Sequence, residues 1–237
     1  MMIDHIVAHF DTAREISDLK ASLDAAGIPF EPSWGKKAKG FEISNIWIGE
    51  QYFELVQIKD DNNLWQPEWA TRHRAGDRGA YCLFLDVDEE IETLRARLIG
   101  AGIAAGEVQR TSFKWFFNLF EKRLPWRFLL TPPLPGSPIE IGFIQYDPGA
   151  REKHGPFMVP NSRDMGLLGL SEAVIFSDDP GAAETALGKL TDVLGTALPL
   201  RIAPQDGQSC RLKLLADWAT DAAQADFQVL DSEITRG

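Results

Sequence analysis

The sequence predicts an α+β protein built from β-α-β-β-β units that repeat along the chain. One observation is a change in hydrophobic pattern, from the alternation of a strand to the spacing of a helix and back to strands. A second observation is that this order returns, because an offset of 75 residues places Gly27 on Gly102, each at the end of a helical stripe. We therefore expect an architecture fixed by internal repetition.

The first unit is predicted to span residues 1–58. Asp11 or Thr12 can cap the start of its helix, and Gly27 is suited to end it. The strand-like segments of this unit cover residues 3–10, 40–49 and 51–58.

The second unit is predicted at 79–147, with a longer middle section and a helix that starts after Asp88. Residues 1–147 are thus expected to form one domain from units 1–58 and 79–147. A third, partial unit is predicted at 164–237, where Asp179 and Pro180 give a helix-start signal. The polar segment 59–79 connects the first two units, and a linker rich in Pro, Gly and charge is expected at 147–163.

Composition excludes several functional classes. The chain has 24 Lys and Arg against 35 Asp and Glu, a formal net charge of −11, which argues against nucleic acid and against an anionic membrane surface as partners. Its two cysteines have no metal-binding spacing and predict reduced thiols. We see no signal segment and no apolar run long enough to span a bilayer, and expect a cytoplasmic protein. No nucleotide, flavin or haem motif indicates an organic cofactor.

Three short motifs carry a resemblance to a known family. They are DHIV at 4–7 in the first strand, YFEL at 52–55 in the last strand of the first unit, and FIQY at 143–146 in the last strand of the second. With the repeated units, they resemble the vicinal oxygen chelate superfamily of glyoxalases, bleomycin-resistance proteins and extradiol dioxygenases, and within it the glyoxalase-like domain branch. The resemblance implies that two units pair into an open barrel, or cup, with the third unit appended.

The same resemblance implies a metal site in the cup. His5 and Glu54 would be ligands from the first unit, with Glu54 also catalytic, and Gln145 stands where the second unit would supply a glutamate. The offset of 75 places Ala80 on His5, so the second unit lacks a ligand there. His9 shares the face of His5, but lies about 13 Å along the strand. A set of this kind would take a divalent metal (Fe, Mn, Ni or Zn), or the protein would need none.

Each of these side chains also has a structural interpretation. His5 could be a half-buried strand histidine that is hydrogen-bonded near Asp4. Glu54 interrupts an apolar run, and a carboxylate buried there without a partner is costly, which favours a functional role over a solvated edge position. For Gln145, a hydrogen-bonded amide is the simpler interpretation.

The segment 113–128 alternates aromatic and cationic side chains. Most of its rings are expected to pack in the core. The sharper hypothesis is an aromatic pocket for a small-molecule ligand, with Trp126 in its wall and Arg110 or Arg127 meeting a carboxylate. 

Two functions follow from these observations. The first is a metal-dependent enzyme that acts on a small organic molecule with adjacent oxygens as a lyase, isomerase or ring-cleaving dioxygenase. The alternative is a metal-free protein of the same fold that binds or sequesters a small molecule. A homodimer is left open, because an unpaired third unit could pair with a second chain.

Overall fold

The computed structural model describes residues 1–33, 40–59, 66–115, 120–207, 209–222 and 225–237. In the first part of the chain the elements, in order, are β1 (Ile3–Phe10), α1 (Ala13–Ala25), β2 (Phe41–Ile48), β3 (Gln51–Ile58), α2 (Pro67–Arg74), β4 (Gly79–Asp86), α3 (Ile91–Gly100), β5 (Ser112–Trp115), β6 (Phe120–Arg123), β7 (Trp126–Pro133) and β8 (Glu140–Tyr146). The rest comprises α4 (Ala150–His154), β9 (Leu167–Ser177), α5 (Pro180–Leu194), β10 (Leu200–Pro204), β11 (Leu212–Trp218), β12 (Phe227–Val229) and β13 (Ser232–Arg236).

The first sheet joins the two predicted units edge to edge. Its strand order is β2-β3-β1-β4-β8-β7, with β1 antiparallel to β4 at the centre. On either side, β1 runs parallel to β3, and β4 runs parallel to β8. Val7 therefore lies opposite Cys82, with Glu54 beside Val7 and Glu140 beside Cys82. An approximate two-fold axis between β1 and β4 relates the two halves of the sheet. Under this symmetry Glu140 occupies the position that Glu54 has in the first half.

The second sheet repeats this arrangement in a shorter form. Its order is β10-β9-β11-β13-β12, and its pairs alternate between parallel and antiparallel as in the first sheet. The C-terminal part thus has four strands after α5 in place of the expected three, and no described helix separates β11 from β12. The predicted fold class, α+β with repeated units and a partial one at the C-terminus, is confirmed.

Local sequence signals explain the helix boundaries. Thr12, one of the two expected caps, begins α1 in a capping box with Glu15, and α5 begins at Pro180 after the cap Asp179. None of the helices in the described ranges is long and apolar enough to cross a membrane.

The two faces of the first sheet differ in what covers them. On one face the apolar stripes of α1 and α3 join the main core, which continues into the second sheet. The other face carries a separate apolar cluster around Val7, Val56, Cys82, Phe84 and Ile144, and we call it the site face. The segment 59–79, expected only as a connector, contributes α2 to this face, where Trp69 is 3% exposed. Helix α2 closes one end of the site face.

Candidate functional site

His5 lies on the site face in the middle of three stacked rings. Its imidazole is 4.6 Å from the ring centroid of Tyr52 on one side and 4.3 Å from that of Phe84 on the other, with interplanar angles of 8° and 13°. The register of the sheet produces this stack, because Tyr52 on β3 and Phe84 on β4 are both cross-strand partners of His5. The two rings hold the imidazole in one plane.

Asp4 fixes the orientation of His5 through a hydrogen bond to Nδ1, the ring nitrogen that does not face Glu54. It is fully buried at a register shift between β1 and β4, and its Oδ1 accepts a hydrogen bond from His5 Nδ1 at 2.5 Å and one from the Tyr146 hydroxyl at 3.1 Å. Arg151 donates to the other carboxylate oxygen. Burial by itself would raise the pKa of Asp4, but His5 and Arg151 outweigh it and lower that pKa. An ionised Asp4 holds the proton of His5 on Nδ1, so that Nε2 is the free nitrogen.

Glu54 stands in front of that nitrogen. Its Oε2 is 4.0 Å from His5 Nε2, and its side chain is 22% exposed, so the carboxyl lies in a recess that solvent still reaches. Burial raises the pKa of Glu54, His5 opposes that rise, and Asp4 adds to it. The arrangement places a free imidazole nitrogen and a carboxyl of raised pKa on either side of a gap that no hydrogen bond closes.

The structure does not bring Gln145 together with these residues. Gln145 lies on the opposite face of β8, where its Oε1 accepts a hydrogen bond from the backbone amide of Ile91 at the start of α3, at 3.2 Å. The same oxygen accepts from Arg127 at 2.7 Å. The strand alternation explains this position, since Ile144 and Tyr146 on either side belong to the site face. The side chain that matches Glu54 by strand register is Glu140.

Of the three predicted ligand-binding residues, both arginines are held in ion pairs with carboxylates. Arg127 pairs with Glu90 and Glu92 at 2.8 Å on the helix side of the sheet. Arg110 is paired with both carboxylate oxygens of Asp147, at 2.9 and 2.7 Å. Only Trp126 reaches the site face.

Trp126 stands at the edge of the His5 cluster. Its ring centroid is 5.9 Å from that of Tyr146, whose hydroxyl donates to Asp4, and 5.4 Å from that of His154. The part of the predicted aromatic segment at 116–119 lies outside the described residues.

The donor set falls short of the metal site that the resemblance implies. Two bonds of about 2.1 Å at a tetrahedral angle would place the donor atoms about 3.4 Å apart, whereas His5 Nε2 and Glu54 Oε2 are 4.0 Å apart. The cross-strand partner of His5 on β4 is Phe84, which has no ligand atom. No group of three or more His, Cys, Asp or Glu side chains in the described ranges could hold a metal ion. These residues do not fit a bound metal.

Sequence reasoning missed four side chains of this cluster, namely Tyr52, Phe84, Tyr146 and Arg151. The ring of Tyr52 stacks on His5, the hydroxyl of Tyr146 donates to Asp4, and Arg151 lies 4.2 Å above the ring of Tyr146. Both tyrosines stand in the quoted motifs, so the two-residue alternation could have placed them on the face of His5. Nothing local marks Arg151, because it comes from the segment expected as a linker and reaches Asp4 only through the fold.

Comparison with solved structures shows the fold of this chain. No protein-family model and no curated protein matches the chain. A crystal structure of a hypothetical protein from Staphylococcus aureus aligns over 98% of this chain and 97% of that one, with 14% identity and a TM-score of 0.68. The two chains share one fold.

Two enzyme structures align with part of the chain. Methylmalonyl-CoA epimerase from Mycobacterium tuberculosis covers 62% of this chain and 89% of its own, at 13% identity and a TM-score of 0.42. The Streptomyces coelicolor methylmalonyl-CoA epimerase in complex with 2-nitronate-propionyl-CoA covers 62% and 94%, at 13% identity and a TM-score of 0.44.

Proposed function

We propose that this protein is an enzyme with the fold of the vicinal oxygen chelate superfamily, and that it moves a proton on a small organic molecule with adjacent oxygens. The carrying observation is the alignment of Asp4, His5 and Glu54 on the site face. An isomerase or lyase of this type needs a base for a C–H proton and an acid for the neighbouring oxygen. The sequence resemblance supports substrates with adjacent oxygens. Membership of the glyoxalase-like branch of the superfamily is part of the proposal.

The three side chains have distinct roles in this proposal. Asp4 keeps the proton on Nδ1 of His5, so that Nε2 can take a proton from the carbon beside a carbonyl group. Glu54, whose pKa is raised by burial, donates a proton to the carbonyl oxygen, and the product of the two transfers is an enol. In an isomerase His5 then returns the proton to the neighbouring carbon while Glu54 accepts a hydroxyl proton from the enol. In a lyase a leaving group departs from the next carbon as Glu54 takes its proton back. Tyr52 and Phe84 keep the imidazole from rotating during these steps.

Exchange of substrate hydrogens with solvent tests this role directly. A panel of diketones, hemithioacetals and 2-hydroxy ketones would be incubated with the protein in D₂O, and loss of the C–H signal followed by NMR. We expect exchange with at least one compound, and a loss of about 100-fold or more in His5→Gln and in Glu54→Gln. Glu172→Gln, which removes a carboxylate paired with Arg201 on the second sheet, is the matched control.

Other outcomes would assign the site differently. Exchange that requires added Fe(II), Mn(II), Ni(II) or Zn(II) and disappears with a chelator would restore the metal-dependent hypothesis. Binding of a panel compound without exchange would favour the alternative, a metal-free binding or sequestering protein, which the short donor set also supports. The homodimer stays a prediction, and a monomeric mass in solution would contradict it.

A further inference from the structure

A second group of polar side chains lies on the site face, beneath α2. It consists of His9, Arg72 and Glu140, with the rings of Trp69 and Tyr81 between them. None of these side chains takes part in the Asp4–His5–Glu54 cluster. We call this group the α2 cluster.

His9 is fully buried and lacks a hydrogen-bond partner among the described residues. Its imidazole stacks on Tyr81 at 3.9 Å between centroids and meets the ring of Trp69 edge-on at 5.3 Å. Neither Nδ1 nor Nε2 has a partner within the described chain. Burial, and then the charge of Arg72, keep the pKa of His9 well below its ordinary value, so the ring is neutral and offers one unused donor and one unused acceptor. A buried polar group without a partner is rare and calls for a physical reason.

Arg72 has unused donors on the other side of the same tyrosine. Its guanidinium carbon lies 3.7 Å above the Tyr81 ring, and its Nε donates to Asp77 at 2.8 Å. The two terminal nitrogens are buried and have no hydrogen-bond partner in the part of the chain that the structure describes. One of them is 3.6 Å from Oε1 of Glu140, which is an ion-pair distance and too long for a hydrogen bond. The planar pair of donors that suits a carboxylate is therefore unused.

The surroundings of Glu140 favour its neutral form, which would not repel an added negative charge. Its Oε2 accepts a hydrogen bond from the Trp69 indole at 3.2 Å, and its side chain is 5% exposed. Burial raises the pKa of Glu140, and Trp69 and Arg72 only partly offset this. A protonated Glu140 would not repel an anion on Arg72 and could itself donate to it.

We propose that the α2 cluster binds a carboxylate at the far end of the substrate, held by the two terminal nitrogens of Arg72. This inference rests on the proposed function and narrows its substrate class. His5 and His9 lie on one face of β1, about 13 Å apart along the strand. The substrate is thus an elongated molecule, with adjacent oxygens at the His5 end and a carboxylate at the Arg72 end. The Arg72 side chain is 18% exposed, and this proposal requires the two-turn helix α2 to move aside when the carboxylate enters.

Matched pairs of acids test the subsite. The probes are 2-oxo dicarboxylic acids from 2-oxoglutarate to 2-oxosebacate, each paired with the 2-oxo monocarboxylic acid of the same chain length. Affinity is measured by isothermal titration calorimetry, and protection of α2 by hydrogen exchange. We expect one chain length of the diacid to bind at least about tenfold more tightly than its monoacid, because a charge-assisted pair is formed only with the diacid. The same diacid should slow exchange in α2.

Variants separate the subsite from general effects on folding. Arg72→Gln should reduce the ratio of diacid to monoacid affinity to about one, and Arg72→Lys, which keeps the charge and loses the paired donors, should give an intermediate ratio. Arg201→Gln, on the second sheet, should leave the ratio unchanged. Circular dichroism and thermal melting identify any variant that fails to fold.

Each result decides for or against the subsite. An equal affinity of both acids for the unmodified protein, a preference that survives Arg72→Gln, or no binding of any probe at millimolar concentration would overturn it. His5→Gln distinguishes the two proposals, because it should weaken diacid and monoacid alike if the proposed function is right. If His5→Gln changes neither affinity while Arg72→Gln abolishes the preference, the subsite stands and the function proposed for His5 falls.

Discussion

Gly142 provides a sharp test of how the His5 site is built. It lies on β8 beside Phe84 of β4, and a Cβ added there would be 2.5 Å from two carbons of the Phe84 ring and 2.8 Å from a third. Phe84 is 4% exposed and stacks on His5 at 4.3 Å, and Tyr52 lies against the other side of His5. A methyl group at position 142 therefore pushes Phe84 toward His5.

The expected cost follows from these distances. Carbon atoms in contact need about 3.5–4.0 Å, so the Phe84 ring must move by about 1 Å in a closely packed place. Overpacking of this kind lowers stability by about 1–3 kcal/mol. Alanine offsets part of this cost, because it loses less conformational freedom on folding than a strand glycine does. We expect Gly142→Ala to lower the free energy of unfolding by about 2 kcal/mol, which is about 4–8 °C in melting temperature.

Two assays check the prediction. Urea denaturation measures the stability, and NMR measures the ring protons of His5, whose shifts depend on the two stacked rings. Only four histidines are present, so a His5→Gln variant assigns the signal. Phe84→Leu added to Gly142→Ala should recover much of the stability, since the two positions share one space.

A second glycine serves as the control. Gly188 lies within α5 with nothing within 4 Å of an added Cβ, so Gly188→Ala should raise stability by about 0.5–1 kcal/mol and leave His5 unchanged. The reasoning would be refuted if Gly142→Ala were as stable as the unmodified protein and left the His5 signals in place.

Four further predictions concern charges, the metal and a helix cap. Asp4→Asn leaves Arg151 and His5 without their buried carboxylate, and urea melts near neutral pH should show the fold destabilised by about 3 kcal/mol. Because the pKa of Asp4 is lowered in the folded state, this difference in stability should shrink as pH falls below the ordinary value of 3.8. For Glu54 the sign is opposite, because its pKa is raised on folding and its ionised form is the destabilised one. Glu54→Gln should therefore stabilise the protein at neutral pH and lose that advantage as pH falls through the raised folded pKa toward the ordinary value of 4.5, and a constant difference in pH-dependent melts would contradict this. Treatment with a chelator should leave the melting temperature unchanged, since the described residues offer two donors at the site, and elemental analysis showing one bound metal per chain would count against it. Thr12→Ala should cost about 1 kcal/mol through loss of the capping box, and an unchanged urea midpoint would show that the cap does not contribute.

Local sequence signals determined the secondary structure of the repeated units. The change between two-residue and helical periodicity located β1, α1 and α3, and glycines at the ends of the stripes located the turns. These signals act within a few residues, so the sequence alone reveals them. The same signals gave no hint of α2, because its pattern is polar and only the site face gives Trp69 a place to be buried.

The site required tertiary information. The sequence identified His5 and Glu54, and their facing positions follow from one parallel register between β1 and β3. It pointed to Gln145 in the second unit, whereas the register of β4 and β8 places Glu140 at the matching position and turns Gln145 toward α3. A shift of one residue along a strand changes the face of a side chain, and the sequence does not specify such shifts.

The sequence by itself thus determined the repeated α+β units and the negative net charge, and it predicted two residues of the candidate site. Tertiary structure alone decided that Arg151 reaches Asp4 from a presumed linker, that Tyr52 and Phe84 enclose His5, and that His9 and Arg72 gather beneath α2. The physical reason is distance along the chain, because these contacts join strands and loops whose pairing is set by the packing of whole sheets.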